Sequence, residues 1–322
     1  MPGRGGARLM RAFRLLPEQT RIPFVRYQYR AYALSGALVL LTLVLLATEG
    51  LNLGIDFRGG LLIEAAMPGP AADLAGMRST LGGLDLGEVA LQEFGGPANV
   101  LIRVELPAGG EQVQRAAVES VKTALAERFG DDVDYRRIEM VGPKVSADLL
   151  WNGAQAVVFS ILAILAYVWF RFEWQFAVGA VVALIHDALT TIGLFSLLGL
   201  EFSLTSIAAL LTIVGYSIND TVVIYDRVRE NLRRYKAMPL AELIDRSINE
   251  TLARTVMTTL TTLLALVALV TVGGPIIRDF TVAMIWGILI GTYSTVYVAS
   301  PMILHLRVPR EAVEAGVPEP ET

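Results

Sequence analysis

The chain has 322 residues, 54% hydrophobic and 18% charged, with a mean hydropathy of +0.53. Soluble domains carry about 25% charged residues, so apolar blocks this long describe a chain that crosses a membrane repeatedly. A net charge of −4 argues against nucleic acid as a partner. There is no cysteine and there are only two histidines, His186 and His305. Disulfides and thiolate chemistry are thereby excluded, and neither a metal site nor a cofactor is expected.

Residues 1–30 read as a basic tail, with Arg4, Arg8, Arg11, Arg14, Arg21, Arg26 and Arg30 against the single acid Glu18. A span needs roughly 20 apolar residues. Six runs qualify, at about 31–49, 151–170, 174–199, 202–225, 255–273 and 280–305. The basic leader also fits a cleavable signal peptide, but LLATEG offers no good small-x-small cleavage site, so a retained helix is expected. Positive charge gathers in the tail and in Arg171, Arg227, Arg229, Arg233, Arg234, Lys236, Arg246, Arg307 and Arg310. The positive-inside rule then places both termini in the cytoplasm.

Residues 50–150, between the first two spans, alternate polar and apolar stretches in the manner of a separate extracytoplasmic domain. Strands are expected at 60–67, 88–94, 100–106 and 133–141, with helices at 71–81 and 111–129. The second and third strands join in a hairpin through Gly95, Gly96, Pro97 and Asn99. Strand–helix–strand–strand–helix–strand is the split βαβ, ferredoxin-like plan. The fold class is thus a six-helix polytopic membrane protein with a ferredoxin-like α+β domain between helices one and two. Nothing in that domain pairs a nucleophile with a base, and an enzyme is not expected.

The membrane part, 151–306, holds the chemistry. Asp220 sits in a run that otherwise reads as a lipid-spanning helix, where a carboxylate costs about 2.5–3.5 kcal/mol on insertion scales. At 100° per residue, Thr205, Thr212, Tyr216, Asn219 and Asp220 share one side of span four. Arg254 opens span five, with Thr258, Thr261 and, more obliquely, Thr262 on its face. Burial favours the neutral acid and a nearby arginine favours its ionised form. Movement of Arg254 relative to Asp220 would therefore couple proton uptake to helix rearrangement. Two blander readings stand beside this one: a static ion pair with threonines as interhelical glue, and an Arg254 that merely snorkels to the headgroups.

His186 and Asp187, mid-way along span three, are secondary candidates for extending such a relay. Tyr293, Ser294 and Tyr297 read as packing residues. Gly287 and Gly291 form a small-xxx-small step for close helix approach. The connection 226–253 reads as an arginine-rich amphipathic helix on the membrane surface, with Leu240, Leu243, Ile244 and Ile248 available for packing. Residues 307–322 form a second tail.

Several motifs come together in this order: GIDFRGG (54–60), VGPKVSADL (141–149), ALIHD (183–187), GYSINDTVVIYDRVREN (215–231), LARTVMTTLTT (252–262) and GGP (273–275). With one span, a large domain and five further spans, they closely resemble the SecF family of bacterial protein-export subunits, in the resistance-nodulation-division superfamily. The resemblance covers about residues 30–306. It implies pairing with SecD, association with the SecYEG channel, and use of the proton gradient in the inner membrane to help export precursor proteins after the SecA motor has pushed. It also implies that Asp220 and Arg254 are the transport-critical pair, with another acid supplied by SecD. The basic head suggests a polypeptide separate from SecD. A competing expectation is half of a small-molecule or lipid exporter, although about a hundred residues is small for a drug-efflux porter domain. A third is a non-energetic scaffold for the channel.

Overall fold

Six helices in the computed structural model are long and apolar enough to cross a membrane: Val25–Thr48, Lys144–Arg171, Trp174–Leu198, Leu204–Arg234, Leu240–Val272 and Arg278–His305. The structure describes residues 20–84, 86–87, 89–104, 111–274, 277–306 and 308. Arg4, Arg8, Arg11, Arg14, Glu18, Arg307 and Arg310 of the expected tails, the strand ends Glu88 and Leu106, and Pro275 lie outside the described residues.

A 3₁₀ turn at Val25–Tyr27 leads into α1 (Gln28–Thr48). The short strand β1 (Asn52–Leu53) and the one-turn helix α2 (Ile55–Arg58) follow. The small domain then runs β2 (Gly60–Ala66), α3 (Leu74–Gly82), β3 (Val89–Glu93), β4 (Asn99–Val104), α4 (Glu111–Phe129) and β5 (Asp134–Val141). The remaining elements are α5 (Pro143–Arg171), α6 (Trp174–Leu198), β6 (Glu201–Phe202), α7 (Leu204–Arg234), α8 (Leu240–Val272) and α9 (Arg278–Ser294). A π-helical turn at Thr295–Ala299 and α10 (Ser300–His305) complete the last span.

The small domain has the ferredoxin-like order β3-β4-β2-β5, with every neighbouring pair antiparallel. Period-two alternation sorts β2 by face. Leu61, Ile63 and Ala65 pack with Met77 and Leu81 of α3 and Val121 and Leu125 of α4. Leu62 turns the other way, onto Ile55 and Leu101. Asp73 starts α3 by accepting the N–H of Gly76 at 2.9 Å. The two glycines that end GIDFRGG have a backbone reason: Gly59 and Gly60 adopt φ of 75° and 109°, a region costly for L side chains, and so reverse the chain from α2 into β2.

The segment before the domain is bound to the membrane helices. β1 pairs in parallel with β6, Asn52 opposite Glu201 and Leu53 opposite Phe202. The N–H of Gly54 donates to the Phe202 carbonyl at 2.8 Å. Phe57, Phe202 and Phe195 pack in series, the first pair tilted and the second edge-to-face, with centroids 5.8 and 5.3 Å apart. Arg103 of β4 reaches Glu201 at 3.5 Å.

The connection after span four differs from expectation. It is not a separate surface helix: α7 continues to Arg234, α8 begins at Leu240, and only residues 235–239 turn between them. Leu243, Ile244 and Ile248 bury inside the molecule, with Tyr225, Val228 and Leu232 of α7, rather than facing lipid, and Leu240 packs partly buried beside them. Polar bonds reinforce the hairpin: Asn231 donates to Ser247 at 3.0 Å and to Glu250 at 2.9 Å, and Arg246 binds Glu250 at 2.9 Å. The N-terminal segment docks here too, through the N–H of Val25 to Asp245 (2.8 Å) and that of Ile22 to Asn249 (3.0 Å).

Small residues let α9 approach α7. A Cβ at Gly287 would collide with the Ile213 side chain, and one at Gly291 would lie 3.1 Å from Ser217 Cβ. The π turn precedes Pro301, which cannot donate to the carbonyl four residues back. Within the π turn the Ser300 hydroxyl donates to the Thr295 carbonyl at 2.8 Å.

Candidate functional site

Asp220 lies on α7 and is 3% exposed, and its Oδ2 has no hydrogen-bond partner. Arg254 lies on α8 and is exposed. The guanidinium is near enough for its charge to act on Asp220, but no hydrogen bond or ion pair joins the two. The static ion pair between helices four and five is therefore absent from this conformation.

The residues expected beside them divide into two kinds. The Tyr216 hydroxyl is buried without a partner, as Asp220 Oδ2 is and as is the Oγ1 of Thr255, which the sequence reading did not single out. Asn219 and Thr212 are exposed, as are Arg254 and Thr261. Thr258, Thr261 and Thr262 each donate to carbonyls one turn back on α8, at 2.8–3.1 Å. Their protons are spent locally, so they are not interhelical glue here, and their oxygens remain acceptors. Polar and small residues thus line an open seam of α7, through Thr205, Ala208, Thr212, Gly215 and Asn219, on a helix otherwise built for lipid.

His186 and Asp187 form a different constellation. Asp187 is fully buried, and its Oδ2 accepts from Ser217 of α7 and Ser294 of α9, both at 2.7 Å. Its Oδ1 lies 3.0 Å from His186 Nδ1. Thr221 and Thr295 extend this polar core with a 2.8 Å contact. The structure does not bring His186 or Asp187 into hydrogen-bond contact with Asp220 or Arg254. Sequence reasoning missed Ser217, and it gave Ser294 a packing role where the structure gives it a hydrogen bond. The available signal was the helical offset of Ser217 from Asp220, three residues on.

At the other end of α7, Glu201 is half-buried among charges. The N–H of Glu201 donates to Asp279 at 2.8 Å and that of Leu204 donates to Asp56 at 2.8 Å. Burial pushes the Glu201 carboxyl above its ordinary value; Arg103 opposes this, and Asp279 adds to it. Among the described residues no group of histidine, aspartate and glutamate has the makings of a metal site.

A six-span bundle built round buried carboxylates, with a ferredoxin-like domain clamped between its first two spans, defines a polytopic membrane protein of a specific type. The model of the protein-export membrane proteins SecD and SecF, C-terminal region, matches residues 120–308, and the SecD/SecF GG motif matches residues 44–66. The chain belongs to the SecD/SecF family of protein-export membrane proteins. It is 44% identical over 313 residues to the protein translocase subunit SecF of Rhodobacter capsulatus, covering 93% of each chain. It is 43% identical over 290 residues to that of Rickettsia felis, covering 90% of this chain and 93% of the other. The crystal structure of SecDF from Thermus thermophilus, a translocon-associated membrane protein, superposes with a TM-score of 0.80 at 36% identity over 91% of this chain. SecDF in its super-membrane-facing form gives 0.65 at 38% identity over 92%. The chain spans 40% of each of those SecDF chains.

Proposed function

We propose that this chain is a SecF subunit that pairs with a SecD subunit in the bacterial inner membrane and draws on the proton gradient to assist protein export through SecYEG. Curated relatives named as translocase subunits, matched over nine-tenths of the chain, support the export role. SecD is the natural partner because this chain matches only 40% of the SecDF chain, which leaves the larger part of that chain for a SecD portion. Both termini are assigned to the cytoplasm, the small domain to the opposite side. The moving precursor meets the complex after SecA has acted, and the chain itself has no catalytic role.

One observation carries the proton-coupled part. Asp220 is buried with an unpartnered oxygen, while the nearest counter-charge, Arg254, stands apart on the neighbouring helix. Buried polar atoms are rarely left without partners. Asp220 Oδ2, Tyr216 Oη and Thr255 Oγ1 therefore mark places for water or for a group from another subunit. Approach of Arg254 favours the carboxylate, and its withdrawal favours proton uptake. Each proton moved through the potential supplies about 2.3 kcal/mol per 100 mV. The open seam of Thr212, Gly215 and Asn219 suits a polar helix of SecD better than lipid.

The test is proton flux and precursor export measured together in vesicles holding SecYEG, SecD and this chain. Asp220→Asn and Arg254→Ala should assemble with SecD yet lose gradient-stimulated export. Normal export by Asp220→Asn would remove Asp220 from the mechanism. Assembly without any effect of the gradient in the wild type would leave only a scaffold.

A further inference from the structure

A groove of about 670 Å³ opens where the turn between α5 and α6 meets the last turns of α7. Arg171, Arg229, Arg233 and Arg234 line it, with Asp226 and Glu230. Asp226 pairs with Arg171 within the groove at 2.9 Å, while Glu230 is drawn off by Arg227, outside it, at 2.8 Å. The lining carries four guanidiniums against two carboxylates, with Glu173 a third acid beside Arg229. Arg229 is the anchor. It donates to the Arg171 carbonyl at 3.2 Å and lies 3.7 Å from Glu173, yet its Nε is buried with no hydrogen-bond partner.

The groove also sits at a defined depth. Tyr167, Trp169, Phe170 and Trp174, on the helix ends that flank the same turn, are all more than half exposed, Phe170 at 93%. Exposed aromatic rings at helix ends mark the level where the hydrocarbon meets the headgroups. Arginines just past that belt lie where phosphates lie, and the planar guanidinium matches a phosphate bidentately.

We infer that this groove is a binding site for the phosphodiester headgroup of an anionic phospholipid, with Arg229 and Arg234 as its principal donors. The lipid's acyl chains lie along the exposed aromatic surface of α5 and α6, and its phosphate occupies the mouth between Arg171 and Arg234. Basic pockets between membrane helices take anionic headgroups for the same reason. The site is separate from Asp220 and does not rest on the export reading.

The experiment is native mass spectrometry of the full chain released from phosphatidylcholine vesicles with and without phosphatidylglycerol. The wild type should retain one phosphatidylglycerol and no comparable phosphatidylcholine. Arg233→Gln/Arg234→Gln, which alters exposed side chains only, should lose most of the bound lipid. Arg229→Lys, which keeps the charge but not the fork, should lose it too. Arg21→Gln/Arg26→Gln, which removes two exposed charges elsewhere, should retain it. Three results would each overturn the site: undiminished lipid in both groove variants, equal loss in the control, or displacement of the lipid by inorganic phosphate alone.

Discussion

Asp56 Oδ2 accepts the N–H of Leu204 at 2.8 Å, so the acid of GIDFRGG caps the helix that carries Asp220 sixteen residues further on. The first N–H groups of a helix have no partner of their own. Ser203 and Ser206 satisfy two neighbouring groups through a capping box, and Asp56 supplies a further acceptor from a segment 148 residues away in sequence. Replacing a capping acid by alanine costs about 1 kcal/mol, within a 0.5–2 kcal/mol range. Asp56→Ala should lower the thermal midpoint accordingly, whereas Asp56→Asn, which still accepts, should retain most of it. Equal losses in the two variants would show that the cap is not what Asp56 contributes.

Glu201 gives a pH dependence with a definite sign. Its carboxyl is raised above the ordinary 4.5 by burial, against the pull of Arg103. The folded chain therefore binds this proton more tightly than the unfolded chain. The cost of ionising Glu201 is absent below pH 4.5 and grows as pH rises through the interval up to the raised value, where it is complete. Stability should fall across that interval in the wild type. In Glu201→Gln that part of the slope should vanish, and thermal midpoints taken against pH would show it. An unchanged slope would mean that other carboxyl groups produce it.

Much of this architecture was legible because hydrophobic period and helix length report directly on burial. The strand expected at 60–67 is β2 at Gly60–Ala66, and the helix expected at 111–129 is α4 at the same bounds. The pattern failed at 226–253, where charges alternate with apolar residues. That pattern fits a helix lying on a membrane as well as the ends of two long helices packing on each other. Only the shared burial of Leu243, Ile244 and Ile248 with Val228 and Leu232 decides, and it depends on the tight turn at 235–239. At the candidate site, sequence identified Asp220, Arg254 and Asp187 as unusual charges. It could not divide them into a bonded acid and an unbonded one, because that depends on Ser217 and Ser294 arriving from two other helices.

Asp187 and Asp220 should accordingly answer mutation in opposite ways. Asp187 accepts from two serines and contacts His186, so Asp187→Ala strands buried donors, each at a cost of about 1–3 kcal/mol. The folded fraction in detergent should drop before transport is considered. Asp220 Oδ2 has no such bond to lose, so Asp220→Asn should leave the thermal midpoint unchanged or higher. A large destabilisation by Asp220→Asn would mean that the carboxylate serves the fold.

The contact of α7 with α9 offers a sharper test of packing, because it joins the helix of Asp220 to a glycine. A methyl group at Gly287 would overlap Ile213, whose side chain is fully buried. Overpacking of this kind costs about 1–3 kcal/mol. Gly287→Ala should destabilise by that amount and shift α7 with it. Removing the obstacle should relieve the overlap: Gly287→Ala combined with Ile213→Ala should be destabilised by less than the sum of the two single variants, because the new methyl group fills part of the space that Ile213 leaves. Strict additivity of the two losses, read from thermal midpoints, would place the strain of Gly287→Ala somewhere other than Ile213.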